Sequence, residues 1–360
     1  MAAERLVFGW DLGGANIKAT RLEDGIAVDI AQWACPLWQG LQLLDGVLAQ
    51  ARARWPDCAH AAHAVTMTGE MADLFENREA GVTALADVMW RAFGERAIFF
   101  AGAAGWRTRR QVAADWQHIA SANWMATARM AAARIGHGVL VDIGTTTSDL
   151  IPIVDGEVAA QGRDDAGRLA SGELVYQGVA RTPLCALARR IAFKGASYNV
   201  MNELFATTAD VYRVTGELRE AHDPHPSADG GAKTPEATHQ RLARMIGHDA
   251  RDAPAAAWLE VARQWRLAQI AELGDNLLRV IDRFGLPPGA PVIGAGCGHF
   301  LARDLAGRLG RPYRAFEDLA GIAPAHAEWA RVCAPSVAVA VLLWQAAQAA
   351  VATGGAQACR

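Results

Sequence analysis

One strand–turn–strand pattern occurs twice in this chain, and it constrains the fold more than any other feature. In the first copy, Asp11 ends a short apolar strand and Asp24-Gly25 marks a later turn. In the second, Asp142 and Asp155-Gly156 hold the same two places, again thirteen residues apart. An Asp-Gly pair between apolar runs is a strong hairpin signal. The sequence therefore predicts two matching β-hairpins.

The chain is also long for one hydrophobic core. It has 360 residues, whereas single cores stop growing at roughly 250–300 residues. The two hairpins are too far apart to be units of a solenoid, which favours duplicated domains. We therefore predict a first domain over residues 1–135 and a second over 136–335, with an inserted loop near 213–256. A closing C-terminal helix is predicted over 336–360.

The composition limits the partners that this chain can have. Hydrophobic residues make up 52% and charged residues 20% of the chain, which is typical of a folded globular protein. A formal net charge of −3 gives no basic surface for nucleic acid or an anionic membrane. We interpret the apolar runs as too short or too interrupted to span a bilayer. We expect a cytoplasmic protein without nucleic-acid or membrane partners, and a homodimer is compatible with the sequence.

The residues after each strand-end aspartate are of the types that bind phosphate. Glycine lets the backbone approach a phosphate, while successive N–H groups and threonine hydroxyls donate to its oxygens. Magnesium prefers few carboxylates and several waters, so Asp11 and Asp142 are predicted metal ligands and catalytic residues. The predicted phosphate- or substrate-binding residues are Gly13, Gly14, Asn16, Lys18, Gly144, Thr145, Thr146 and Thr147. For Lys18, a surface strand charge is the equal alternative.

Three further positions carry candidate chemistry. Glu70 follows an apolar strand, where its carboxylate would bind metal or deprotonate a substrate, unless it only begins a helix. Asp149, on the strand after Asp142, is either a site carboxylate or a half-exposed strand residue. A third glycine turn could seat an adenine, and its glycines are Gly294, Gly296 and Gly298.

Four residues are candidates for contacts with the rest of a substrate. Asn123 and Trp124 would present an amide and an aromatic face to a ring, although tryptophan often only packs in a core. Glu173 would pair with a substrate amine, and Arg181 with a carboxylate or phosphate. Salt links between the domains explain Glu173 and Arg181 nearly as well.

The glycine-containing segments resemble the two phosphate motifs and the nucleotide-base motif of the superfamily of actin, sugar kinases and heat-shock chaperones. More narrowly, the chain resembles the hydantoinase/oxoprolinase-like branch and, within it, proteins of tetrahydromethanopterin-linked one-carbon metabolism. The segments that carry this resemblance are 10–18, 67–73, 122–124, 142–149, 171–183, 206–210 and 334–336. The resemblance implies an α/β fold in which two ribonuclease-H-like domains face a central cleft.

The narrower resemblance implies a role in making methanofuran or methylofuran. Its members are thought to join an aminomethylfuran-methyl diphosphate to the phenol of a tyramine or tyrosine derivative, with release of pyrophosphate. A phosphate cradle with Mg²⁺ suits this transferase chemistry, because fixed donors and a metal neutralise charge on the leaving diphosphate. ATP fits the glycine turns but is not required by the reaction.

Two other functions stay open at this point. One is an ATP-dependent kinase or a hydantoinase/oxoprolinase-like amide hydrolase, favoured by the third glycine turn. The chain shows no clear aspartate for activating a sugar hydroxyl, which argues against ordinary sugar phosphorylation. The other is a non-catalytic, nucleotide-dependent switch. The phenolic substrate and the carboxylate that acts as base are not fixed by the sequence.

Overall fold

The computed structural model describes residues 5–357, which form two compact units. Unit 1 contains residues 5–135, 156–158 and 316–357. Unit 2 contains residues 136–155 and 159–315. Residues 1–4 and 358–360, at the outer limits of the predicted domains, lie outside the described part of the chain. The last helix of the chain is part of unit 1.

Strands and helices alternate along much of the chain. The strands are β1 (Leu6–Leu12), β2 (Asn16–Glu23), β3 (Ile26–Ala34), β4 (Ala62–Met67), β5 (Ala97–Phe100), β6 (Trp106–Arg107), β7 (Gly138–Ile143), β8 (Ser148–Val154), β9 (Glu157–Val158), β10 (Leu174–Val175), β11 (Arg190–Phe193), β12 (Ala196–Asn199), β13 (Val292–Ala295) and β14 (Tyr313–Ala315). The α-helices are α1 (Gln42–Arg54), α2 (Arg78–Phe93), α3 (Arg109–Val112), α4 (Trp116–Ile119), α5 (Asn123–Ala132), α6 (Asp165–Ser171), α7 (Thr208–Val214), α8 (Pro235–Arg244), α9 (Ala255–Arg283), α10 (His299–Arg308), α11 (Phe316–Ala320), α12 (Ala327–Val332) and α13 (Ala334–Gln357).

Unit 1 is organised around a six-stranded sheet in the order β3-β2-β1-β4-β5-β6. The first three strands are antiparallel, and β1, β4 and β5 run parallel. Helix α13 packs on β1 at Gly9, where a Cβ atom would lie 2.8 Å from the Cβ of Ala340. The hydroxyls of Thr20 and Ser336 are 2.7 Å apart and join β2 to the same helix.

Helix α13 corrects one expectation from the sequence. Within residues 5–357, it is the one helix that is long and apolar enough to cross a membrane, over Ala334–Val351. The prediction that every apolar run is too short or too interrupted was therefore wrong. Its first half is apolar for a local reason, because residues 337–340 are fully buried beside the unit 1 sheet. The core helix of a globular protein can pass the same test of length and composition.

Unit 2 repeats the sheet of unit 1. Its strand order is β10-β8-β7-β13-β14. The first three strands are again antiparallel, and β7, β13 and β14 are parallel. Strand for strand, this matches β3-β2-β1-β4-β5 in order and direction. The predicted α/β fold with duplicated domains is confirmed.

The region of the predicted insertion, near 213–256, contains helix α8 and connects α7 to the long helix α9. Residues 223–234, which are rich in Pro and Gly, form no helix or strand, but buried charges anchor them. Arg241 is fully buried, and its Nε donates to Asp210 at 2.8 Å. Asp223 accepts a hydrogen bond from Arg213 and pairs with Lys233, each at 2.9 Å. Paired in this way, buried charges hold an irregular segment in one conformation.

Candidate functional site

The turn between β1 and β2, residues 13–15, brings its glycine backbone into close contact with Asn16. The N–H of Gly13 donates to the carbonyl oxygen of Asn16 at 3.1 Å. A Cβ on Gly13 would lie 2.7 Å from that oxygen, so only glycine fits there. Gly13 and Gly14 are both half-buried, whereas Asn16 is buried. A glycine backbone that reaches the surface at the carboxyl end of β1 suits the approach of a phosphate.

Asp11 lies opposite Lys18 in the antiparallel pair of β1 and β2. Residues directly opposite each other share a face of the sheet, and here the Lys18 Nζ is 3.7 Å from the Asp11 Oδ2. The Asp11 side chain is 4% exposed and that of Lys18 is 19% exposed. Unit 1 therefore balances its strand-end carboxylate with its own ammonium group.

Glu70 lies at the same edge of the sheet as the first turn. Strand β4 runs parallel to β1, and the N–H of Thr68 donates to the Leu12 carbonyl at 3.0 Å. Glu70 follows in a short 3-10 turn and is 1% exposed. Its Oε1 accepts a hydrogen bond from the Ser121 hydroxyl at 2.7 Å. Unit 1 thus brings Asp11 and Glu70 to one edge, each with a bound partner.

Asn123 and Trp124 begin helix α5. The Oδ1 of Asn123 accepts the N–H of Trp124 at 2.8 Å, which satisfies one donor of the first helical turn. Trp124 is 2% exposed, so its ring is enclosed, while Asn123 is half-buried. Their predicted contacts with a substrate ring stay a prediction.

The turn between β7 and β8, residues 144–147, closes in the same way as the turn between β1 and β2. The N–H of Gly144 donates to the carbonyl oxygen of Thr147 at 2.9 Å. Asp142 lies opposite Asp149 across β7 and β8 and is 8% exposed. The turn residues 144–147 are half-buried. A carboxylate therefore stands beside a turn whose backbone and threonine hydroxyls are within reach of a ligand.

Asp149 is engaged by a buried arginine. Arg168, 3% exposed, bonds to Asp149 and also to Asp165, the latter at 2.8 Å. Burial raises the pKa of Asp149, while the charge and hydrogen bond of Arg168 act in the opposite direction. Two carboxylates therefore share one guanidinium at this edge of unit 2.

A neighbouring segment packs directly on the second turn. Gly178 lies so close to the backbone of Thr145 and Thr146 that a Cβ atom would overlap with them. The N–H groups of Ala180 and Arg181 donate to the Thr145 carbonyl at 3.1 and 2.9 Å. The guanidinium of Arg181, an exposed residue, reaches the Thr146 hydroxyl at 3.4 Å. The structure thus brings Arg181 together with the turn threonines.

Two buried side chains that the sequence did not indicate support this segment. The hydroxyl of Tyr212 donates to the Oε1 of Gln269 at 2.5 Å, and the Nε2 of Gln269 donates to the Gly178 carbonyl at 3.0 Å. Tyr212 and Gln269 are both fully buried. Gln269 lies 91 residues from Gly178 in the chain, so no local pattern could have identified the contact.

The third glycine turn packs on the end of β7. Gly294 lies in β13, which runs parallel to β7. Gly296 has φ of +79°, and a Cβ there would lie 2.6 Å from the Oδ1 of Asp142. The N–H of Gly298 donates to the Ile143 carbonyl at 2.8 Å. Close packing beside Asp142 therefore explains Gly296 and Gly298, and the adenine seat stays a prediction.

Glu173 has a structural task within unit 2. It is fully buried, and its two carboxylate oxygens accept the N–H groups of Gln161 and Gly162 at 2.7 and 2.8 Å. Its own carbonyl accepts the N–H of Leu150 at 2.8 Å. Glu173 thus anchors the 161–162 loop to β8, and its role toward a substrate amine stays a prediction.

The side chains available as ligands bear on the prediction of a bound Mg²⁺. Among residues 5–357 there is no group of three or more His, Cys, Asp and Glu side chains arranged to hold a metal ion. Sites that supply one or two carboxylates and leave the other positions to water and phosphate oxygens are typical of Mg²⁺. Asp142, beside a turn of hydroxyls and backbone N–H groups, fits that pattern.

Comparison with known proteins places the chain in a family. The family model described as Hydantoinase/oxoprolinase matches residues 61–343. A relative from Methanocaldococcus jannaschii is 29% identical over 300 residues, which cover 83% of this chain and 88% of the relative. A relative from Methanococcus vannielii is 29% identical over 205 residues, which cover 57% of this chain and 90% of the relative.

Both relatives are named as synthases of a (phenoxymethyl)furan-2-yl methanamine. The phenoxy ring of that compound bears a 2-(gamma-L-glutamylamino)ethyl group. A nucleotide-free structure of acetone carboxylase shares the fold, with a TM-score of 0.52 at 12% identity. The match covers 93% of this chain and 70% of that chain. Because the family model spans most of its length, the protein belongs to the hydantoinase/oxoprolinase family.

Proposed function

We propose that this protein is a transferase of methanofuran or methylofuran biosynthesis. It would join the methylene carbon of an aminomethylfuran-methyl diphosphate to the phenol oxygen of a glutamyltyramine, tyramine or tyrosine derivative. The two synthase relatives, whose named product contains this aryl ether, point to the enzyme class. The observation that carries the proposal is the Gly144–Thr147 turn, whose backbone and hydroxyls lie beside Asp142.

Unit 2 supplies what a diphosphate leaving group needs. The hydroxyls of Thr145 and Thr146 and the Arg181 guanidinium would donate to its oxygens, and Asp142 would hold Mg²⁺. When bound, the metal would neutralise charge on the departing pyrophosphate. Because the turn is held by backbone hydrogen bonds, its donors need little rearrangement during the reaction.

The bond changes are simple. The bond between the methylene carbon and the ester oxygen of the diphosphate breaks, and its electron pair leaves with pyrophosphate. An electron-rich furan shares the positive charge at the methylene carbon, so departure of pyrophosphate can precede attack. The phenol oxygen then forms the new bond to carbon, and its proton passes to a carboxylate base. No atom of ATP takes part.

Glu70 is the proposed base. The Ser121 hydroxyl donates to the Glu70 Oε1, and the Glu70 carboxylate would accept the phenol proton. Asp11 is a weaker candidate for a base because the Lys18 ammonium favours its ionised form. The expected cytoplasmic location and the homodimer stay predictions.

Product analysis tests the proposal. Wild-type protein is incubated with furan-methyl diphosphate, Mg²⁺ and tyramine, and both pyrophosphate and the ether are measured. The proposal expects the two products in equal amounts. Orthophosphate with ADP in a reaction given ATP would instead support a kinase or an amide hydrolase. Nucleotide binding without turnover would support a switch. An Asp142→Asn variant separates enzymatic ether formation from spontaneous solvolysis.

A further inference from the structure

We propose that Ser121 is a positioning residue that orients the carboxylate of Glu70. The proposal rests on the proposed function, in which Glu70 accepts the phenol proton. Ser121 lies in the short connection between α4 and α5, 51 residues from Glu70 in the chain. Its role therefore comes entirely from the fold of unit 1.

The backbone at Ser121 is unlike that of its neighbours. Among the described residues, four that are not glycine have positive φ: Asp24, Ser121, Asp155 and Lys194. Three of them come directly before a glycine in a hairpin turn, where positive φ is the normal geometry. Ser121, with φ of 49°, is followed by Ala122 and begins no hairpin. For a residue with a Cβ atom this conformation costs about 1–2 kcal/mol.

The conformation directs the hydroxyl to Glu70. The Ser121 Oγ donates to the Glu70 Oε1 at 2.7 Å, the short distance typical of a hydroxyl bound to a carboxylate. Ser121 is 5% exposed and Glu70 is 1% exposed, so water does not compete for this contact. Strain that persists at a buried residue and directs a polar group is characteristic of functional sites.

The backbone of Glu70 is fixed on its other side. Gly81, in the first turns of α2, lies so close that a Cβ there would be 2.8 Å from the Glu70 Cα. With the backbone held by Gly81 and Oε1 held by Ser121, the rotation of the carboxylate is restricted. The carboxylate would then keep one defined orientation, as a base that receives a proton requires.

Ser121→Gly provides a direct test. Glycine adopts positive φ without strain, so the variant should fold as well as wild type while it lacks the hydroxyl. We expect kcat for ether formation to fall about 10–100-fold, the range for a misplaced catalytic group, with KM for the furan diphosphate nearly unchanged. Ser121→Ala should lose kcat equally and also lower the melting temperature, because it loses the hydrogen bond to Glu70 while the backbone strain of the wild type stays.

Lys194→Gly is the matched control. It also removes a side chain at φ of 49°, but on the β11–β12 hairpin of unit 2, and it should keep full kcat. Full kcat in Ser121→Gly with an active wild type would overturn the role of Ser121 and leave the proposed function intact. A change in KM alone, or unfolding of both Ser121 variants, would assign a structural role and also overturn it. Absence of pyrophosphate with wild type would overturn both proposals.

Discussion

The β1–β2 hairpin of unit 1 and the β7–β8 hairpin of unit 2 have the same backbone geometry and differ in charge. In each, a glycine N–H closes the turn on the carbonyl three residues later, and an Asp-Gly pair with positive φ ends the second strand. Opposite the strand-end aspartate, unit 1 has Lys18 and unit 2 has Asp149. The counter-charge of unit 2 comes instead from Arg168, which bonds to Asp149.

We infer from this difference that the two copies of the hairpin have different tasks. An aspartate with its own ammonium partner is partly neutralised before any ligand binds, which weakens its attraction for a cation. In unit 2 the partner arginine bonds to Asp149 and Asp165. Since Lys18 offsets the charge of Asp11 and the turn at residues 144–147 places hydroxyls beside Asp142, we expect the cation-dependent chemistry to depend more on Asp142 than on Asp11.

Asp142→Asn should have the largest effect. The change preserves volume and removes the proposed metal ligand, so kcat should fall about 100-fold or more. Asp11→Asn should cost clearly less, because Lys18 already offsets that carboxylate. Pyrophosphate release at saturating Mg²⁺ measures both variants, and the melting temperature checks the fold. Equal losses would remove the proposed division of tasks, and unchanged activity in Asp142→Asn would refute its assignment as a ligand.

Thr145→Val tests the cradle of unit 2. Loss of a hydroxyl that donates to a charged phosphate should cost about 1.5–3 kcal/mol, or one to two decades in affinity. Titration calorimetry with inorganic pyrophosphate and Mg²⁺ measures this change. Thr20→Val is a control in unit 1, because that hydroxyl is bonded to Ser336 inside the core. Thr20→Val should lower the free energy of unfolding and leave the affinity for pyrophosphate unchanged. If Thr145→Val binds pyrophosphate as tightly as wild type does, the Thr145 hydroxyl is excluded as a donor.

Lys18→Met tests the internal neutralisation in unit 1. It would leave the nearly buried Asp11 carboxylate without its ammonium partner, at a cost of about 1–3 kcal/mol in the free energy of unfolding. Adding Asp11→Asn should recover most of that loss. Urea unfolding of the two single variants and the double variant gives the coupling energy. Additive effects would show that the pair contributes nothing.

Acid should weaken unit 1 through His63. The Trp10 indole donates to its Nδ1 at 2.9 Å, and its Nε2 lies 2.9 Å from the Cys58 carbonyl, which fits a neutral ring. Burial lowers the pKa of His63 from 6.5 to about 3. The contribution of His63 to the free energy of unfolding is therefore complete above pH 6.5. It is lost as the pH falls toward 3, by about 1.4 kcal/mol per pH unit.

His63→Gln should make stability less dependent on pH in that range. Chemical unfolding of wild type and variant between pH 7 and 4 measures the two slopes. Asp149 changes stability in the opposite direction with pH. Burial raises its pKa, so its ionisation lowers the free energy of unfolding as the pH rises. The same slope in wild type and His63→Gln would contradict the assignment of a neutral, buried His63.

Local sequence was enough for the hairpins but not for what surrounds them. Matched Asp-Gly turns and strand-end aspartates predicted both hairpins and their pairing because a hairpin is a short-range structure. The contacts of Glu70 with Ser121 and of Gly178 with Gln269 join residues 51 and 91 positions apart. Such contacts depend on tertiary packing. The sequence indicated Glu173 as a candidate for substrate contacts. Its burial and its two backbone partners followed only from the fold.

The dependence of ether formation on nucleotide tests the central claim most directly. Wild-type protein is given furan-methyl diphosphate, tyramine and Mg²⁺, with and without ATP, and ether, pyrophosphate and ADP are measured together. If the substrate's own diphosphate occupies the cradle beside Asp142, ether and pyrophosphate should form equally without ATP, and added ATP should act at most as a competitor. A strict requirement for ATP, with ADP formed in step with the ether, would contradict this account.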